Sequence, residues 1–120
     1  MLRRDYLERM IEQFSQSLET ARLKEERGAY SGAIDDLARA LSRALNLSPH
    51  TLLSLNPSSL LTMVTLSQIS AEHAVYLSFL LYRMAQIEEE AERESARLRY
   101  AQAQAISEHY GFSLGENPFT

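Results

Sequence analysis

Residues 28–41 read GAYSGAIDDLARAL, and this stretch is the most informative part of the chain. Gly28 interrupts a charged run, and small and large apolar residues then recur at helical spacing, with Ile34, Leu37 and Leu41 as the large ones. This pattern is typical of a helix that turns back to pack against the helix before it. The stretch therefore predicts an α-helical hairpin, and it contains no residue set that indicates a reaction.

The segment before Gly28 predicts the first helix of the hairpin. Its apolar residues recur at i, i+3 and i+4, and they are Tyr6, Leu7, Met10, Ile11, Phe14, Leu18 and Ala21. This spacing predicts an amphipathic helix that opens near Asp5 and fades after Leu23. The second helix is predicted over residues 31–45.

Proline and serine positions predict the remaining helices. Ser48-Pro49 and Asn56-Pro57 each place a capping residue before a proline, which predicts short helices near 49–55 and 58–68. Most of their apolar residues are expected to be buried: Leu52, Leu53, Leu55, Leu60, Leu61, Met63, Val64 and Leu66. Ser70 is expected to cap a long helix. We expect that helix to break between Glu90 and Ser95, with Ser95 capping a last helix that ends at Gly111, although one helix over 71–110 stays an alternative.

The long helix is apolar on nearly every side between Val75 and Met84. A helix of this kind must be covered all round, so it forms the centre of the fold or lies in a subunit interface. We therefore expect an all-α fold of five to six antiparallel helices packed around it, and a homo-oligomer with a dimer as its simplest case. Residues 1–112 are expected to form one domain, and residues 113–120 a loosely ordered tail.

Composition and charge exclude several classes of protein. The 120 residues carry a net charge of −4 and include no cysteine, which excludes disulfides and Cys-ligated zinc and suits a reducing cytoplasm. An acidic chain lacks the basic footprint of nucleic-acid binders. The longest apolar run, Ala74 to Tyr82, is far shorter than the ~20 residues that span a membrane. With no targeting segment apparent either, we expect a soluble, cytoplasmic protein.

The hairpin segment also resembles the second half of a tetratricopeptide repeat. The resemblance is carried by Gly28, Tyr30, Ala33, Ile34, Leu37, Ala40 and Leu41, followed by Pro49. It departs from that motif because the proline comes four residues late and because the preceding helix lacks the Trp, Leu-Gly and Tyr of the repeat. The opening DYLERMIEQF and the closing HYGF are similar to a small family of uncharacterised bacterial helical proteins. Both resemblances imply a tetratricopeptide-like helical fold and no known activity.

The residues that carry chemistry do not form a recognisable set. None of the histidines His50, His73 and His109 lies three or four positions from another, and no Glu-x-x-His occurs. We interpret His73 and His109 as residues at helix ends. The acidic cluster of residues 88–94 is interpreted as a solvated charge run, with a docking surface as the alternative. We expect no metal, no cofactor and no catalytic residues.

Aromatic and arginine side chains of the last two helices supply a candidate interaction surface. Its residues are Tyr76, Phe79, Tyr82, Arg83, Arg97 and Tyr100, and the alternative is that most of these aromatics belong to the core. Arg83 interrupts the apolar run, so its charge must reach water, a carboxylate or a partner. We therefore expect a non-enzymatic protein-interaction module that self-associates. The alternative function is a small-ligand-binding protein or enzyme with an inter-helix pocket around Arg83.

Overall fold

A computed structural model describes residues 2–119, with side chains from Asp5 onward. The described residues form six α-helices and no strand, which confirms the predicted all-α class. The helices are α1 (Leu2–Glu26), α2 (Tyr30–Leu45), α3 (Pro49–Ser54), α4 (Pro57–Leu66), α5 (Ala71–Glu90) and α6 (Ser95–Tyr110). None of these helices combines the length and the apolar character needed to cross a bilayer.

The starts of α3, α4 and α5 follow the predicted caps, whereas α1 begins at Leu2 and not near Asp5. Gly28 adopts a left-handed conformation (φ 78°) in the turn between α1 and α2. The side chains of Ser48, Asn56 and Ser70 accept hydrogen bonds from backbone N–H groups in the first turns of α3, α4 and α5. The expected break before residue 95 is present, but Ser95 is the first residue of α6 and its hydroxyl donates to Glu88 instead of capping the helix.

Helix α5 is the central element of the fold. It packs most extensively against α6 and also contacts α1 and α2, while α3 packs on α2 and α4 packs on α6. Leu77, Leu80, Leu81 and Met84 are fully buried on α5, and the side of the helix that carries Phe79 is closed by the segment after α6. The chain itself therefore covers the helix that is apolar all round. The apolar character of α5 is therefore no longer a reason to expect a homo-oligomer.

The segment after α6 lies against the core. Phe112, Leu114 and Phe119 are partly buried and pack on it, and the ring of Phe119 makes an edge contact with Tyr76 at 4.9 Å between centroids. Residues 1 and 120 lie outside the described part of the chain. The division into a domain of residues 1–112 and a loosely ordered tail of residues 113–120 stays a prediction.

Candidate functional site

The predicted interaction surface forms an aromatic row along α5 and α6. Ring centroids are 6.5 Å apart for Phe79 and Tyr82, and 5.7 Å apart for Tyr82 and Tyr100. The row ends at Phe119, which contacts both Tyr76 and Phe79. Phe79 is buried, and the three tyrosines are half-buried. The fold thus brings together four of the six predicted residues, but much of their ring surface is already used within the chain.

Phe119 is the member of this row that sequence reasoning missed. Phe112 and Leu114 of the same segment also pack on the core. The available signal for Phe119 was a second aromatic residue, placed after Pro118 in an otherwise polar tail. Arg97 takes no part in the row, because it lies exposed on α6.

Arg83 finds its carboxylate within the chain. One guanidinium nitrogen donates to Oε1 of Glu25 on α1 at 2.6 Å, and the other donates to Oε1 of Gln86 at 2.7 Å. Glu90 lies beside the same pair, and hydrogen bonding to the Glu25 carboxyl raises the pKa of Glu90. Burial and the negative charge of Glu25 add to this rise, and Arg83 opposes it. Arg83 therefore joins α5 to α1 and is not a free binding group.

An open groove lies between α1, α5 and the tail. Its volume is about 440 Å³, its apolar lining includes Phe79 and Phe119, and Arg22 and Arg83 also line it. Arg22 is paired with Glu19 and Glu26 at 2.5 Å each, so both guanidinium groups have carboxylate partners. The groove has the size of a small-ligand site but lacks an unpaired charge and a nucleophile with a neighbouring base. The predicted ligand pocket around Arg83 stays a prediction.

Glu88 is not part of a solvated charge run, and that interpretation was wrong for this residue. Glu88 and Arg99 are both 2% exposed, and Nε of Arg99 donates to Oε1 of Glu88 at 2.8 Å. Arg99 also donates to the carbonyl of Leu53, and the Gln102 amide donates to the carbonyls of Leu52 and Leu55. These bonds join α5, α6 and the end of α3. Since the charges are fully used, the network is structural.

The three histidines, His50, His73 and His109, lie near the ends of α3, α5 and α6. His73 Nδ1 lies 2.6 Å from the Ser70 hydroxyl, and the same hydroxyl caps α5 by accepting from the backbone N–H of His73. His109 stacks edge-on against Tyr110 at the end of α6. Among the described residues, no three His, Asp or Glu side chains are grouped closely enough to hold a metal ion.

Helix α4 presents an uncharged apolar face to solvent. Leu66 is 71% exposed and Met63 is 37% exposed, so the expectation that both are largely buried was wrong. The two residues lie one turn apart, and Thr62 and Thr65 are exposed beside them. No Asp, Glu, Lys or Arg occurs between Arg43 and Glu72. We call the exposed residues Thr62, Met63, Thr65 and Leu66 the uncharged face of α4.

Comparison with known proteins identifies no relative: no family model, no curated protein and no solved structure matches this chain. The likeness to tetratricopeptide repeats and to the bacterial helical family stays a prediction from the residues that carry it.

Proposed function

We propose that this protein is a non-enzymatic interaction module that self-associates through the uncharged face of α4. The observation that carries the proposal is the exposure of Leu66, the most exposed large apolar side chain among the described residues. Leu66 lies next to Met63 and has no charged neighbour along α4. An exposed apolar patch of this kind supports a role in binding another protein surface.

A second copy of the chain is the partner that the charge pattern favours. The protein is acidic overall, so two identical charged faces would bring like charges together when they meet. The uncharged face of α4 avoids this cost. A symmetric dimer uses the same patch on both copies, which would place Leu66 and Met63 of one copy against the same residues of the other.

The dimer should be weak and should depend on Leu66. The face is short, so we expect a dissociation constant on the order of 100 μM, which is typical of a small transient interface. Burial of one leucine side chain is worth about 1.5–3 kcal/mol, and a symmetric dimer buries two. Leu66→Ser should therefore weaken dimerisation by roughly a hundredfold or more.

Sedimentation equilibrium over a concentration series tests this expectation. Leu23→Ser is the matched control, because Leu23 is also exposed (46%) but lies between Arg22 and Lys24 on α1. A wild-type protein that stays monomeric at millimolar concentration would contradict the proposal. So would an equal loss of association in the two variants.

A further inference from the structure

We propose that the groove between α1 and α2 binds an acidic polypeptide segment. Two depressions lie side by side along these helices, with volumes of about 330 and 270 Å³, and Arg43 lines both. Arg9 lines the second depression, and Arg39 lines the first. We call this continuous surface the arginine groove. It shares no residue with the uncharged face of α4, so it is independent of the proposed dimer.

Two of the three arginines are free to bind a ligand. Arg9 and Arg43 are exposed, and neither guanidinium forms an ion pair or a hydrogen bond with the described residues. Each therefore keeps its full set of donors for an incoming carboxylate, which a guanidinium can bind through two parallel hydrogen bonds.

The carboxylate that lines the groove is already neutralised. Asp36 is 8% exposed, and Nη2 of Arg39 lies 2.6 Å from its Oδ1. Nζ of Lys24 lies 3.0 Å from Oδ2 and donates to Oδ1 at 3.1 Å. Two cations thus surround this one anion, and Arg9 and Arg43 add to the positive balance. The groove is a positive strip on a protein whose net charge is −4.

The spacing of the groove suits a peptide. Arg9 on α1 and Arg43 on α2 line the same depression, so an acidic peptide that lies in it can reach both free guanidinium groups. Gln13 and Gln16 line the α1 side and offer amide groups for a peptide backbone.

Fluorescence anisotropy with a labelled octa-glutamate peptide tests the proposal at low salt. We expect saturable binding that weakens as salt rises. Arg43→Glu and Arg9→Glu should each weaken it by about tenfold or more, since each removes a charge-assisted contact and adds a repulsive charge. Arg97→Glu is the matched control, because Arg97 is exposed and forms no ion pair with the described residues but lies on α6. It should change the affinity by less than about twofold, the effect of a distant screened charge.

Three results would overturn the proposal. The first is the absence of saturable binding by the wild-type protein. The second is an equal loss in Arg97→Glu, which would indicate unspecific attraction to the whole surface. The third is tighter binding of inorganic tripolyphosphate or a single-stranded oligonucleotide than of the peptide. Circular dichroism checks that each variant is folded, and unchanged peptide binding by Leu66→Ser separates this groove from the proposed dimer.

Discussion

The buried pair of Glu88 and Arg99 determines how α5 and α6 align. Each charge loses its water on folding, and this cost is offset only because every polar atom of the pair finds a partner. Such a network tolerates one alignment of the two helices, since a shift by one residue would leave a charge without a partner. The charged pair can therefore specify one alignment of α5 and α6, whereas apolar side chains alone would allow several.

Removal of one partner should be far more harmful than removal of both. Arg99→Met leaves Glu88 as an uncompensated buried charge, so it should lower the free energy of unfolding by about 3–5 kcal/mol. The double variant Glu88→Leu with Arg99→Met should recover most of this loss, because no buried charge remains. Urea unfolding measures both changes. A single variant that loses less than about 1 kcal/mol, the value of an exposed ion pair, would contradict the burial of this network.

Glu90 should make stability depend on pH. Its pKa is raised in the folded protein, so the folded state holds its proton more tightly than the unfolded chain does. Stability should then fall as pH rises from about 4.5 through the raised pKa. Glu90→Gln should stabilise the protein at pH 7 by about 0.3 kcal/mol, a small value because the side chain is exposed and screened.

Thermal unfolding at pH 4 and pH 7 checks this effect of Glu90→Gln. The gain should be much smaller at pH 4, where Glu90 is largely protonated in both states. A gain of equal size at both pH values would mean that the Glu25 carboxyl is not its cause.

At the scale of elements, the turn between α5 and α6 carries local strain. Glu92 has a φ of 58°, which is the left-handed conformation that costs most residues about 1 kcal/mol relative to glycine. Glu92→Gly should therefore stabilise the protein by about 0.5–1 kcal/mol, part of the gain being lost to the greater freedom of glycine in the unfolded chain. Urea unfolding measures it.

Glu94→Gly is the control for that substitution. Glu94 lies in the same turn with a φ of −63°, so glycine relieves no strain there and should only destabilise. Equal effects of the two substitutions would show that the loss of a negative charge, and not the backbone conformation, is responsible.

The sequence predicts helices well here because their ends are determined locally. Ser48, Asn56 and Ser70 each cap a helix through a backbone N–H only three residues away, so the signal lies within one turn. Burial is different, because it depends on which distant helix covers a face. Leu66 looks like a core residue in the sequence, and Glu88 looks solvated. The packing of α6 leaves Leu66 facing water and places Glu88 against Arg99.

The same limit applies to the candidate site. Tyr76, Phe79, Tyr82 and Tyr100 could be grouped from the sequence because they recur at helical spacing on two consecutive helices, and their rings lie in one row with Phe119. That this row is an interaction surface stays a prediction. The spacing did not predict that Phe119, far along the chain, would sit on Tyr76 and Phe79. The sequence did not predict the arginine groove, because α1 and α2 carry both acidic and basic residues. Only the packing of the two helices places Arg9 and Arg43 in the same depression.

At the scale of the whole molecule, the two proposed surfaces lie on different elements. The uncharged face belongs to α4, which packs on α6, and the arginine groove belongs to the α1–α2 hairpin. Helix α5 connects the two regions, because it packs on the α1–α2 hairpin and on α6. A dimer formed through α4 would therefore keep two arginine grooves open to acidic partners. Salt should weaken the second kind of contact and leave the first almost unaffected.

The absence of charge between Arg43 and Glu72 has a practical consequence for experiments. Cross-linking reagents react with amines or carboxylates, and α4 offers neither, so a cross-link map would be blank at Leu66 even if two copies met there. Trypsin cleaves after lysine or arginine and would release residues 44–83 as one uncut peptide. Contacts of α4 are therefore better followed by methyl resonances, for which Met63 and Leu66 are natural reporters.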